Sequence, residues 1–165
     1  MDKEARLDGT TIAEHPEALR LWLRLLTCTQ LVEKQVRCGL REQFETTLPR
    51  FDLMAQLERS REGMKMTELS RRLMVTGGNI TGITDQLVAE DLVERVPVPG
   101  DRRAYRVRLT VKGRKQFADM AHQHEAWVVD AFAGLSTKEV GTLHRLLGKV
   151  KQHTLSQALA TKEKP

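Results

Sequence analysis

The sequence predicts a mainly α-helical protein interrupted by one β-hairpin. Three observations carry this reading. Apolar residues recur at intervals of three and four through most of the 165 residues. Between Val93 and Leu109 the interval changes to two. Helix-starting and helix-stopping residues fall between the periodic stretches: Pro16, Pro49, Gly63, Gly134 and the Ser136–Glu139 run "STKE".

Residues 1–15 are polar and mixed in charge, and are expected to form a flexible N-terminal arm. A long helix is expected from Pro16, a residue suited to a first turn, to about Glu45. Leu19, Trp22, Leu23, Leu26, Leu31, Val32 and Val36 mark its apolar stripe. At nearly thirty residues it is long enough to pack against more than its own small domain. A second helix restarts after Pro49, with Phe51, Leu53, Met54 and Leu57 apolar, and breaks at Gly63. "TELSRRLMV" is a short third helix, and the glycine-rich "TGGNITGITDQL" begins a fourth that ends near Asp91.

The hairpin follows. Val93, Val96 and Val98 alternate with polar residues on one arm, Tyr105, Val107 and Leu109 on the other, and "PGDRRA" forms the tip. Pro97 and Pro99 suit an edge strand, where a missing N–H breaks no ladder. A second long helix runs to a stop near Gly134. Ser136 and Glu139 form a capping box that opens a last helix through Leu143, Leu146, Leu147, Val150 and Leu155.

A helix–turn–helix followed by a two-stranded hairpin is a winged helix-turn-helix, here expected over 49–114. The flanking helices, 16–48 and 115–160, come from the two chain ends and can meet in space. They are expected to form a helical dimerisation lobe, because helices of this kind often pack against a copy of themselves.

Composition excludes several classes. No apolar run approaches the ~18 residues of a membrane span. The first residues do not read as a secretory signal, so a cytoplasmic location is expected, without membrane contact. Cys28 and Cys38 lie ten residues apart on one helix, about 15 Å, too far to pair with each other. They are expected to be reduced and partly buried. A redox switch through a partner subunit is the alternative. His122 and His124 point to opposite sides of a helix, and no Cys–His cluster has zinc spacing, so no metal is expected. With no phosphate loop, no Gly-x-Ser-x-Gly and no nucleophile–base pair, neither a cofactor nor enzymatic activity is expected.

The glycine-rich helix holds the sharpest question. Gly77, Gly78 and Gly82 each cost a helix roughly 0.5–1 kcal/mol relative to alanine. With Ile80 at the centre of a buried face, Thr76, Ile83, Thr84 and Leu87 fall within about 60° of it. Gly78 and Gly82 then lie on the far side near Asp85, Asn79 and Gln86 on one edge, and Thr81 on the other. One reading is structural: the first two glycines loosen the helix start, and Gly82 accommodates a neighbouring helix. The other is functional. A bare face can sit deep in the DNA major groove, where Asn79 and Gln86 carry the amide that pairs with an adenine edge. Thr81 can meet a thymine methyl or a phosphate, and the free N–H groups of the first turn another phosphate.

Charge favours the second reading. The chain carries a net charge of +5. Between Arg59 and Lys115, 13 Lys or Arg face 7 Asp or Glu, an excess of +6, against −1 for the rest. Phosphate attraction requires such a concentration. Arg102 and Arg103 lie at the hairpin tip beside Asp101, and Arg106 and Arg108 alternate along the outgoing strand. An arginine on a narrow tip can enter the minor groove.

The stretch "MTELSRRLMVTGGNITGITDQLVAEDLVERVPVPGDRRAYRVRLTVKGR", Met66 to Arg114, resembles the MarR family of bacterial transcription regulators. The carrying features are the recognition helix, the Asp-Arg-Arg-Ala wing of Asp101 to Ala104, and the Leu-Thr-x-x-Gly turn of Leu109 to Gly113. The resemblance implies an obligate homodimer, and a pair of winged helices reading a palindromic operator in double-stranded DNA. It implies a repressor that releases DNA when a small, often aromatic, acid binds. It further implies that Arg102 enters the minor groove, that Asp101 and Arg103 support it or contact phosphate, and that Thr76 to Gln86 enter the major groove. Two departures stand out: Gly82 replaces a residue that is basic in many members, and Asp91 replaces a helix-ending glycine.

The first helices also resemble regulators in the family that control breakdown of phenolic acids, including hydroxycinnamic acids. That implies an aromatic acid or its coenzyme A thioester as effector. Arg20, Trp22, Arg24, Leu25, Leu26, Thr29, Phe51 and Met54 are candidate effector residues. The same apolar stripe also suits a core, and the two arginines a solvated edge. The alternatives to a ligand-responsive regulator are a winged helix used for protein–protein contact without an operator, and a redox-sensing repressor using Cys28 or Cys38.

Overall fold

The computed structural model describes residues 16–162, with the backbone alone at 101–103 and 160–162. The expected arm at 1–15 lies outside the described residues. The order is α1 (Pro16–Phe44), α2 (Leu48–Glu58), β1 (Met64–Lys65), α3 (Met66–Leu73), α4 (Gly77–Ala89), β2 (Val93–Val98), β3 (Asp101–Leu109), α5 (Val111–Ala131) and α6 (Thr137–Lys162). The chain divides into two compact units, one ending at Glu125 and one beginning at Ala126.

The first unit contains the winged helix. Its core draws on every element: Val36 and Leu40 of α1, Phe51, Leu53, Met54 and Leu57 of α2, Leu69 of α3, Ile80 and Leu87 of α4. Met64, Val93, Val107 and Leu109 add the sheet, Leu92 the link between α4 and β2, and Met120 adds α5, all buried. Each large apolar side chain sealed this way contributes about 1.5–3 kcal/mol. The sheet is antiparallel with strand order β1-β3-β2, so the two-stranded expectation gains a third strand. Met64 pairs with Val107 and Lys65 with Arg106. The extra strand follows from Gly63, whose φ of +80° turns the chain so closely over β3 that a Cβ there would lie 2.6 Å from the Val107 carbonyl oxygen. The proline-bearing β2 is an edge strand as expected, with an irregularity between Pro97 and Val98.

The Leu-Thr-x-x-Gly turn has a local physical cause. Thr110 Oγ1 accepts from the Gly113 N–H at 2.9 Å, and donates to the Asp91 carbonyl at 2.7 Å. It therefore caps α5 and ties it to the end of the recognition helix. Gly113 is needed for close approach: a Cβ there would stand 1.9 Å from the Leu92 carbonyl oxygen.

In α1, only Val36 and Leu40 are buried, while Leu19, Leu21, Trp22, Leu23, Leu26 and Leu31 are exposed. Cys28 and Cys38 are both exposed, which corrects the expectation that they are partly buried: the early part of α1 has little to pack on among the described residues of the first unit. In the second unit, the capping box forms as expected. Glu139 Oε2 accepts from the Ser136 N–H at 2.8 Å, and Ser136 Oγ from the Glu139 N–H at 3.4 Å. That hydrogen bonding holds the Glu139 carboxyl below the usual range. Leu146, Leu147, Val150, Leu155 and Leu159 of α6 are exposed.

Candidate nucleic-acid interface

Helix α4 forms despite its glycines because one face is anchored. Ile80, Thr84 and Leu87 are buried, and Ile83 is half-buried. The Thr84 hydroxyl donates to the Ile80 carbonyl at 2.8 Å, so its burial leaves no polar atom stranded. Thr76 is exposed rather than on the buried face. It is the extended N-cap residue, φ −67° and ψ 151°, so helical geometry does not apply to it. At the other end Asp91 adopts φ 59°, the left-handed turn that glycine adopts most readily. Buried Leu92 and Val93 then carry the chain into the wing.

The opposite face is bare. Gly77, Gly78, Asn79, Thr81, Gly82, Asp85 and Gln86 are all exposed. A Cβ built on Gly77, Gly78 or Gly82 would meet nothing within 4 Å. Packing among the described residues therefore requires none of these glycines. Thr81 donates to the Gly77 carbonyl at 2.9 Å, which leaves its oxygen able to accept.

The wing turns at Pro99–Gly100, where Gly100 has φ +84°, and Val98 pairs with Asp101. Asp101, Arg102 and Arg103 therefore open strand β3, a shift from the expected exposed turn, because the two-residue turn ends before them. Their side chains lie outside the described residues. Arg106 is exposed and sits in register with exposed Lys65, so two cations share one row of the sheet. Arg108 is engaged by Glu94, Nε to Oε1 at 2.7 Å.

Three basic residues outside the sequence-based set adjoin this surface. Arg95 of β2 is paired through Nη2 with Oδ1 of Asp85 on α4, and its guanidinium lies 5.3 Å from the centre of the Tyr105 ring. The hydrogen bond to Asp85 raises the Arg95 pKa further above its ordinary value. The contact joins a helix to a strand, so no single periodicity reveals it. At the helix end, Arg50 of α2 pairs with the Glu90 side chain, and Lys112 donates to the Glu90 carbonyl at 2.7 Å.

The effector candidates do not share one environment. Arg20, Trp22, Arg24, Leu26 and Thr29 are exposed on α1 and Leu25 is half-buried. Arg20 pairs with Glu17 at 3.1 Å. Phe51 and Met54 are buried in α2, where the Phe51 ring stacks on His124 at 4.8 Å and tilts against Phe117 at 5.5 Å. Beside them Asp52 is half-buried, and desolvation pushes its carboxyl above the usual range, partly offset by His124. Among the described residues no group of three or more His, Cys, Asp or Glu is placed to hold a metal ion, and no helix is long and apolar enough to cross a membrane.

Comparison with known proteins agrees with this geometry. Residues 46–105 match the MarR family model. The transcriptional regulator PecS of Dickeya dadantii is 25% identical over 116 residues, covering 69% of this chain and 70% of PecS. The transcriptional activatory protein BadR of Rhodopseudomonas palustris is 29% identical over 149 residues, 88% of this chain and 85% of BadR. The crystal structure of a cysteine-to-serine mutant of Escherichia coli MarR complexed with operator DNA superposes with a TM-score of 0.70 at 27% identity, covering 83% of this chain and 97% of that one. The matched segment spans α2 to the first half of the wing's outgoing strand, so the chain carries a region similar to the MarR family of winged-helix transcription regulators.

Proposed function

We propose that the chain is a homodimeric, ligand-responsive repressor that binds a palindromic operator and is released by an aromatic acid or its coenzyme A thioester. The observation that carries operator binding is the bare, exposed face of α4 beside a wing rich in arginine. That face has no packing reason to be bare, and a groove-entering helix supplies one. The likeness to a MarR bound to operator DNA supports the same use. On this reading Thr76, Gly77, Gly78, Asn79, Thr81, Gly82 and Gln86 face the major groove, Arg102 enters the minor groove with Asp101 and Arg103 supporting it or Arg103 meeting phosphate, and Arg106 faces the backbone.

Dimerisation is supported by the exposed apolar residues of α1 and α6, which a soluble monomer would leave in water. The effector part rests on exposed Trp22 with Arg20 and Arg24 nearby on α1, an aromatic surface beside cations that suits an aromatic anion. BadR is named an activator, so transcription from the bound promoter, with and without the protein, decides the direction of regulation.

The experiment is fluorescence anisotropy of a labelled duplex from upstream of the protein's own gene against unrelated DNA, at two salt concentrations. Tight binding to the upstream duplex alone, weakening steeply with salt through counterion release, is the expected result. Equal weak binding to both duplexes would favour the protein-contact reading. Release is then screened with aromatic acids and acyl-CoA thioesters. Response to simple acids and to no thioester would remove the thioester version.

A further inference from the structure

Asp85 is the only ionisable residue on α4, and it is acidic and exposed on the face assigned to DNA. A carboxylate there repels phosphate, so its presence needs a reason. Fold stability does not supply one. The Asp85–Arg95 pair is solvent-accessible, with 58% of the Asp85 and 33% of the Arg95 side chain exposed, and pairs of that kind contribute little to stability. The geometry offers another reason. Arg95 approaches from the wing strand and engages Oδ1, while its guanidinium is held near the Tyr105 ring. Its charge offsets the carboxylate, and the pairing leaves Oδ2 available to accept. Of the groups at the major-groove base edges, the cytosine N4 amino group is the donor that a carboxylate oxygen suits.

We propose that Asp85 reads a cytosine in each operator half-site, and that Arg95 is the positioning residue that makes an acidic group tolerable beside phosphate and fixes its orientation. This rests on the reading that α4 enters the major groove. It adds a donor-reading group to a face otherwise made of amides, a hydroxyl and bare backbone.

The test uses the full-length dimer and a panel of operator duplexes, each with one base pair changed, read by anisotropy. Asp85→Ala is expected to lose about tenfold discrimination at one C·G position per half-site, and to keep the preferences elsewhere. Asp85→Asn is expected to shift the preference at that position towards adenine. Arg95→Ala is expected to weaken binding to every duplex about tenfold, to have much less effect in an Asp85→Ala background, and to be partly rescued by Arg95→Lys. Thermal melts of each variant within a few degrees of the parent exclude unfolding as the cause. A uniform loss, or no change, across the panel for Asp85→Ala overturns the proposal. Failure of the parent protein to prefer operator over unrelated DNA overturns the regulator reading beneath it.

Discussion

Substituting Gly82 separates stability from function. Gly82 lies inside α4, and a Cβ added there meets nothing within 4 Å. Gly82→Ala therefore introduces no clash and gains helix propensity, about 0.8–1.0 kcal/mol. For a chain of this size that is a rise of about 2–4 °C in melting temperature. Gly82→Leu gains a similar propensity term and adds a side chain that projects from the bare face. If that face enters the major groove, the added bulk holds the backbone away from the base edges. Losing one good base contact costs about 1–3 kcal/mol, so operator affinity is expected to fall at least tenfold for Gly82→Leu and less for Gly82→Ala. Urea titration and operator anisotropy on the same samples measure both. A variant that becomes more stable while binding operator as before would refute the reasoning, because the glycine would then be bare for no purpose at DNA. A variant that loses stability would show that the face packs against another protein surface.

Gly113→Ala should be strongly destabilising, on the order of 2–4 kcal/mol by chemical denaturation, because the new methyl would overlap the Leu92 carbonyl and the backbone must move. Asp91→Gly should stabilise by about 0.5–1 kcal/mol, since the residue sits at φ 59° and glycine adopts that turn without Cβ strain; an unchanged or lower urea midpoint would contradict this. Asp52 has a carboxyl raised by burial, so the folded state holds its proton to higher pH than the unfolded chain. Stability from this group is greatest in acid and falls as pH rises from the ordinary carboxylate value, 3.8, through the raised one. Asp52→Asn should remove that slope and be at least as stable as the parent at pH 7, read from denaturation midpoints across pH 3.5–7 (roughly the carboxylate range).

Where the sequence was legible, a residue's chemistry acted locally. Pro97 and Pro99 placed β2 at an edge, Ser136 and Glu139 formed their reciprocal cap, and the 3.6-residue period of α4 separated Ile80 and Leu87 from Gly78 and Gly82. Strand β1 was not legible because two residues carry no period, and its cause is a glycine pressed on a strand some forty positions away. The exposure of Cys28 and Cys38 was hidden because an apolar stripe does not say whether its cover lies in the same chain. Arg95 was missed because it acts across a helix and a strand of different periodicity, where neither pattern alone brings it to Asp85.

The contact between Gly113 and Leu92 works as a bearing. Backbone rests on backbone there, with no side chain to compress, so motion of α5 is passed to the root of the wing with little slack. Eleven residues further along the same helix, His124 is stacked on Phe51 of α2. At 1.5 Å per residue the two points are about 16 Å apart, so a displacement of ~1 Å at His124 turns the helix by roughly 3–4° about the bearing. A small wedge beside Phe51 thus has a mechanical route to the angle at which the wing leaves the recognition helix.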